Sequence, residues 1–371
     1  MEKDRLDSIQ MFRCFAALAV LFFHLDDVLP FGPETFIGHF IYRGNSGVDV
    51  FFVISGFIAF YTVNKGMGEY THPGIAYFIK RIAKIVPLYY FFTLFSTGHT
   101  LESLYQTIKS LLFIPLGMGR PGPFYGEARV SQGWTLNYEM YFYCVMALSF
   151  LFGKYKWHFV YVFILLAVAF PVLMHDIPID YGFKGYNFDI TYLSMMSNPI
   201  ITEFLLGITV GIIYTKLDKR LSLYWIGFIS ITVSYFIINY YAKFNNFSRV
   251  TVSGIPAALL IISILKLEKA KKIKIPPFIV KLGNMSFSIY ISHLGIIGLI
   301  RKIASHTINK GHLGFGLWTG IGIFILSLIL TYYVSLLTYT FIELKLSIKF
   351  RNWLLSHKIL STSILVKQQI R

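Results

Sequence analysis

IQMFRCFAALAVLFFHLDDV, Ile9 to Val28, is the stretch on which the fold turns. It has the length of roughly 20 residues that a helix needs to cross a hydrocarbon core of about 30 Å. Two ionisable residues, Arg13 and His24, lie inside it. They are eleven positions apart, close to three turns, so both fall on one helical face. Their axial separation is roughly 16 Å. A cation inside a membrane helix costs about 2.5–3.5 kcal/mol on insertion scales. Snorkelling of Arg13 to the inner headgroups, or a hydrogen-bonded His24, would account for either residue singly. Two on one stripe, with Asp26 and Asp27 just beyond, point to a function.

The rest of the chain has the same character. Of 371 residues, 55% are hydrophobic and 14% are charged, and the mean hydropathy is +0.61. A soluble domain carries nearer to about 25% charge. The reading is an all-α polytopic membrane protein, about ten transmembrane helices in one bundle. The net charge of +16 would suggest nucleic acid in a soluble protein. Here the basic residues punctuate apolar segments, so orientation and anionic lipid explain them and no nucleic-acid partner is expected. Cys14 and Cys144 both sit in apolar segments and suggest neither a disulfide framework nor a metal site. The first segment lacks a small-residue cleavage pattern and reads as a retained span.

With the amino terminus inside, spans are predicted over about 9–28, 47–63, 85–97, 134–152, 157–174, 199–215, 222–241, 250–265, 279–300 and 315–342. Pro87 is expected in a first helical turn. The outer segment 98–133 includes Ser110–Leu116, apolar but too short to span, hence re-entrant or interfacial, and then a Gly/Pro-rich loop from Gly117 to Gly133. The loop 175–198 carries Asp176, Asp180 and Asp189 against Lys184, which suits the outside. Leaving out Arg13, this topology puts 23 Lys and Arg inside and 10 outside, the asymmetry of inner-membrane proteins. Residues 1–345 form the transmembrane domain and 346–371 a basic cytoplasmic tail.

Several blocks then carry a resemblance. Arg13 and His24 are followed by GVDVFFVISGF at 47–57, by Arg81-Ile-Ala-Lys-Ile-Val-Pro87 and by Trp134-Thr-Leu-Asn-Tyr-Glu139. Glu203-Phe-Leu-Leu-Gly207, Leu282 to His293 and Glu343 complete the ordered set. Together these resemble the membrane-bound acyltransferase family 3, which O-acylates bacterial surface polysaccharides. Lys84 departs from the pattern, standing where the family usually has a second arginine and lacking the bidentate fork.

The resemblance implies acyl transfer, most often acetyl, from cytosolic acyl-coenzyme A to a polysaccharide or lipid-linked glycan. A sugar hydroxyl is a poor nucleophile at neutral pH and needs a base. His24 is that candidate, because histidine titrates in the right range. Asp27, at i+3, or Glu139, at the start of the fourth span, is the expected carboxylate partner that orients it. Arg81 and Lys84 at the inner mouth, with Arg13 along the first span, are candidates to hold the donor's phosphates and line its route. Ordinary positive-inside anchoring is the competing account of the first two. Ser286, Tyr290 and His293 share a helical face and are expected to line a substrate path, or else to form a hydrogen-bonded seam. Asp49, Ser55 and Trp134 fall in matched blocks and join them as candidate substrate-binding residues. Gly47 and Gly56 read as close helix packing. No metal and no permanently bound cofactor is expected. A polysaccharide exporter without acyl chemistry and a non-catalytic scaffold are the rival readings. The exporter predicts paired halves, and the sequence shows none.

Overall fold

The computed structural model describes residues 6–28, 32, 34–67, 70–96, 98, 100–117, 121–175, 185–241, 249–307 and 317–356. These residues form α-helices and loops, with no strand among them. In chain order the helices are α1 (Asp7–Phe23), α2 (Phe36–Tyr42), α3 (Gly47–Gly66), α4 (Pro73–Phe95) and α5 (Leu101–Leu111). Next come α6 (Trp134–Ser149), α7 (Lys156–His175), α8 (Thr191–Met196), α9 (Thr202–Lys216) and α10 (Leu223–Tyr241). The last are α11 (Ile255–Lys269), α12 (Pro277–Asn284), α13 (Ser286–Thr307), α14 (Leu317–Thr338) and α15 (Ser347–Leu355).

The helices α1, α3, α6, α7, α9, α10, α11 and α14 lie on eight of the ten apolar segments read from the sequence; the ninth, 279–300, is divided between α12 and α13, and the third, 85–97, covers only the end of α4. Among the described residues, seven continuous stretches are long and apolar enough to cross a membrane. The longest, Ser131–Met174, turns back at Gly153 (φ +54°), which separates α6 from α7. α1 has 17 residues and α4 carries three cations, and neither is among these seven stretches. α4 starts earlier than the sequence suggested, on Pro73 at its first turn, so Lys80, Arg81 and Lys84 ride on the helix. Pro87 is therefore interior to α4 and not in a first turn. Its missing N–H withdraws one bond from the helical ladder there.

The chain forms two compact units, residues 1–54, 213–245 and 251–339, and residues 55–212, 246–250 and 340–371. In the first, α1 is the helix the others pack against. A Cβ placed on Gly283 of α12 would lie 1.9 Å from the carbonyl oxygen of Gln10, and one on Gly47 would lie 2.4 Å from that of Ala16. Only glycine permits these approaches, the small-residue contact that membrane helices use. At the far end of α1, Leu21 and, just past the helix, Leu25 pack with Ile297, Ile300 and Ala304 of α13 and Ile323 of α14. The start of α1 is capped from α11: the Glu268 carboxylate accepts from the backbone N–H of Asp7 (2.8 Å) and from both N–H and Oγ of Ser8. A carboxylate there satisfies orphan donors at the positive end of the helix. Nearby, fully buried Lys266 donates to Asp218 Oδ1 at 2.5 Å and to its carbonyl at 3.0 Å, and lies over the Trp225 ring. The Lys266 hydrogen bond holds the exposed Asp218 carboxyl below its ordinary value.

In the second unit, α4 packs on α6 and α15, and Phe142 stacks on Phe204 at 4.3 Å. Gly56 brings α3 against the Phe204 carbonyl, 2.0 Å from where a Cβ would sit. The Gly/Pro-rich stretch is a loop, as expected, and it is tied down. Tyr138 Oη donates to the Pro123 carbonyl (3.0 Å), Asn198 Nδ2 to Tyr125 Oη (3.1 Å), and Tyr125 Oη to the Tyr186 carbonyl (3.2 Å). α5 before it is amphipathic in an inverted sense. Ser103, Thr107 and Ser110 are buried against the protein, while Leu101, Leu104, Tyr105, Ile108 and Leu112 are exposed. A helix that turns its apolar stripe outward fits an acyl-chain boundary and not water. Residues 357–371 of the basic tail, and Asp176, Asp180 and Lys184 of the acidic loop, lie outside the described residues.

Candidate functional site

His24 is the C-cap of α1, at φ −82° and ψ 3°, with its backbone N–H still on the Val20 carbonyl. Two elements fix it. From the next turn, Asp27 pairs with Arg301 of α13. From α13, the Arg301 Nη2 that meets Asp27 also donates to the His24 carbonyl at 2.8 Å. The last carbonyls of a helix lack intrahelical partners and carry its negative end, so an arginine there is doubly favourable. Asp27, read from sequence as the carboxylate that orients the His24 ring, is instead the counter-ion of Arg301. The clamp acts on the backbone of His24 and leaves its ring turned to other neighbours.

One of those neighbours is His293. The two ring centroids are 5.3 Å apart with planes inclined by 34°. His293 is fully buried, and the Tyr290 ring lies 5.9 Å away, itself edge-on to Phe51. On the same helix, Ser286 and Ser288 are fully buried, and Ser292 is within hydrogen-bond distance of Ser335 on α14 (3.2 Å). The face predicted to carry Ser286, Tyr290 and His293 is thus turned into the protein. Toward the other end of α1, Arg13 is buried, and its Nη1 donates to Gln10 Oε1 at 3.0 Å. Asp49 is fully buried in the first turn of α3.

The remaining candidates lie in the second unit. Arg81 is flanked by the rings of Tyr77 and Tyr143, 5.2 and 5.5 Å from its guanidinium carbon, and its Nη2 reaches Thr62 Oγ1 at 3.4 Å. Stacking on aromatic faces holds a guanidinium plane without neutralising it. Glu139 accepts a hydrogen bond from Ser55 Oγ, so these two candidates form one polar pair. Lys84 is exposed, and Trp134 is buried against Phe124.

Sequence reasoning missed Arg301, Tyr77 and Tyr143. Arg301 had a signal: it falls just past the ninth apolar run, where it passes for an ordinary flanking charge. The tyrosines had none, because 25 of them are spread through the chain.

Known proteins supply the remaining observation. Residues 6–340 match the profile of a family described as an acyltransferase domain. The exopolysaccharide production protein ExoZ of Rhizobium meliloti (strain 1021) is 28% identical over 285 residues, covering 71% of this chain and 80% of its own length. No solved structure matches the chain. The family match spans nearly the whole sequence, so the chain belongs to this acyltransferase family, as a multi-pass helical membrane protein.

Proposed function

We propose that this acyltransferase moves an acyl group, acetyl in the first instance, from cytosolic acyl-coenzyme A to a hydroxyl of a bacterial exopolysaccharide or its lipid-linked precursor. It works in the inner membrane with both termini in the cytoplasm. The observation that carries the reading is His24: a half-buried imidazole on a backbone clamped by Arg301, in a chain whose family performs acyl transfer. The similarity to a protein of exopolysaccharide production supports the choice of acceptor.

The reaction asks for one proton to move twice. His24 takes the proton of the sugar hydroxyl as that oxygen bonds to the thioester carbonyl carbon. The tetrahedral intermediate collapses, the carbon–sulfur bond breaks, and His24 returns the proton to the departing thiolate. Asp27 serves this step through Arg301, by fixing where His24 stands. At the cytoplasmic side Arg81, held flat between Tyr77 and Tyr143, and exposed Lys84 take the donor's phosphates. Arg13, on the helical face of His24 and roughly 16 Å from it, serves the donor's acyl arm along α1. Ser55, Glu139, Asp49 and Trp134 remain candidate substrate contacts.

The test is mass analysis of the surface polysaccharide from cells that carry the wild type or His24→Ala, with protein level matched. The reading expects the acyl mass increment in the wild type and its loss in the variant. An increment that survives in His24→Ala makes His24 structural. No increment in either strain removes the assigned acceptor and favours an exporter role.

A further inference from the structure

His293 carries a bond that the protein leaves unmade. Its Nδ1 lies 3.2 Å from the Ile289 carbonyl one turn back on α13. A carbonyl only accepts, so this contact puts the proton on Nδ1 and leaves Nε2 with a bare lone pair. That nitrogen is buried and has no hydrogen-bond partner among the described residues. A buried acceptor left unpaired is costly, more than a merely space-filling histidine would justify. The ring beside it is His24, 5.3 Å centroid to centroid. That is roughly the separation at which two imidazoles share one N–H···N bond of about 2.9 Å. The ring planes are inclined by 34°, so the bond requires the His24 ring to turn an N–H toward His293 Nε2.

Resting on the reading of His24 as base, we propose that His293 is its positioning partner. In this arrangement His293 Nε2 accepts the N–H of His24 and so holds the base's other nitrogen, lone pair free, toward the sugar hydroxyl. When His24 takes the hydroxyl proton, the imidazolium keeps its hydrogen bond to a neutral imidazole. When the thiolate departs, the same proton leaves His24 for sulfur, and His293 neither gains nor loses one. The orienting role that a carboxylate plays in familiar triads falls here to a second histidine. Asp27, the carboxylate expected on that turn from sequence, is engaged by Arg301. This differs from the expectation that His293 lines the substrate path: it touches the base, and acts through it.

The experiment compares His293→Gln with His293→Leu in full-length enzyme solubilised in detergent. Labelled acetyl-coenzyme A is the donor, and polysaccharide from the producing cells, deacylated with mild alkali, is the acceptor. A Gln amide oxygen can reach the position of Nε2; Leu fills the space without an acceptor. The proposal expects His293→Leu to lose about tenfold to a hundredfold in kcat, the size of a lost orienting bond, with the donor KM changed less than about twofold. It expects His293→Gln to recover most of that kcat. Equal kcat values for Gln and Leu, or a loss confined to KM, would overturn it. Should His293→Leu fail to fold, His293→Ala takes its place as the variant without an acceptor, and a kcat equal to that of His293→Gln contradicts the orienting role. His24→Ala run in parallel separates the two ideas. Activity in His24→Ala removes the base itself, whereas a dead His24→Ala beside a fully active His293→Leu removes only the partner.

Discussion

Arg301 uses a single Nη2 to reach both the His24 carbonyl and the Asp27 carboxylate, and so closes the end of α1 from a helix far away in sequence. The part-buried charge-assisted bond to the His24 carbonyl contributes about 1.5–3 kcal/mol, and the exposed pair with Asp27 no more than about 1 kcal/mol. Arg301→Gln is therefore expected to lower kcat by about tenfold or more, because His24 is no longer held in one place. Arg301→Lys, which keeps the charge but lacks the fork, should recover part of the loss. Steady-state kinetics of the solubilised enzyme check this, and an unchanged kcat in Arg301→Gln would remove the clamp from the account. At this scale the sequence was informative about residue types and poor on partners. Arg13 and His24 stood out because ionisable groups in a span are costly. That His24 faces His293 and that Asp27 belongs to Arg301 depends on how α13 packs on α1, which no local pattern encodes.

Among elements, α1 owes its placement to its neighbours more than to its own sequence. Glu268 caps its start, Gly47 lets one neighbour close on it, and Gly283 lets α12 lie on the Gln10 carbonyl. A methyl group at Gly283 has nowhere to go, since the obstructing atom is backbone. Gly283→Ala is expected to destabilise the protein by about 1–3 kcal/mol, the usual cost of overpacking. Glu268→Ala should cost about 1 kcal/mol through the lost cap. Thermal unfolding in detergent, followed by fluorescence of the five tryptophans, measures both. A Gly283→Ala variant as stable as the wild type would mean that α12 does not pack where the structure has it. The ten apolar runs were legible because membrane helices must satisfy their backbone internally and show lipid an apolar surface. The start of α4 was not, because three cations in its early turns read as a loop. α5 was ambiguous for a related reason: its apolar stripe faces outward, so periodicity alone gives no side.

For the whole molecule the claim is vectorial. In the topology proposed from the sequence, Arg81 and Lys84 belong to an inner segment and His24 to the outer half of the first span, so the proposed donor and acceptor would meet without either crossing the membrane whole. Positive-inside asymmetry supports the orientation, and the basic run from Lys266 to Lys274 weighs most in it. Composition made the class readable from sequence. The identity of the sugar was not readable, because hydroxyl recognition depends on a few convergent contacts and not on any periodic feature.

The most direct test uses sealed membrane vesicles turned inside out, so that the cytoplasmic face meets the medium. Membrane-impermeant labelled acetyl-coenzyme A is added outside, with deacylated polysaccharide enclosed within. The account predicts label on the enclosed polysaccharide with wild-type protein, none with His24→Ala, and none from right-side-out vesicles given the same external donor. Label that requires the donor at the opposite face, or that appears equally with His24→Ala, would contradict it.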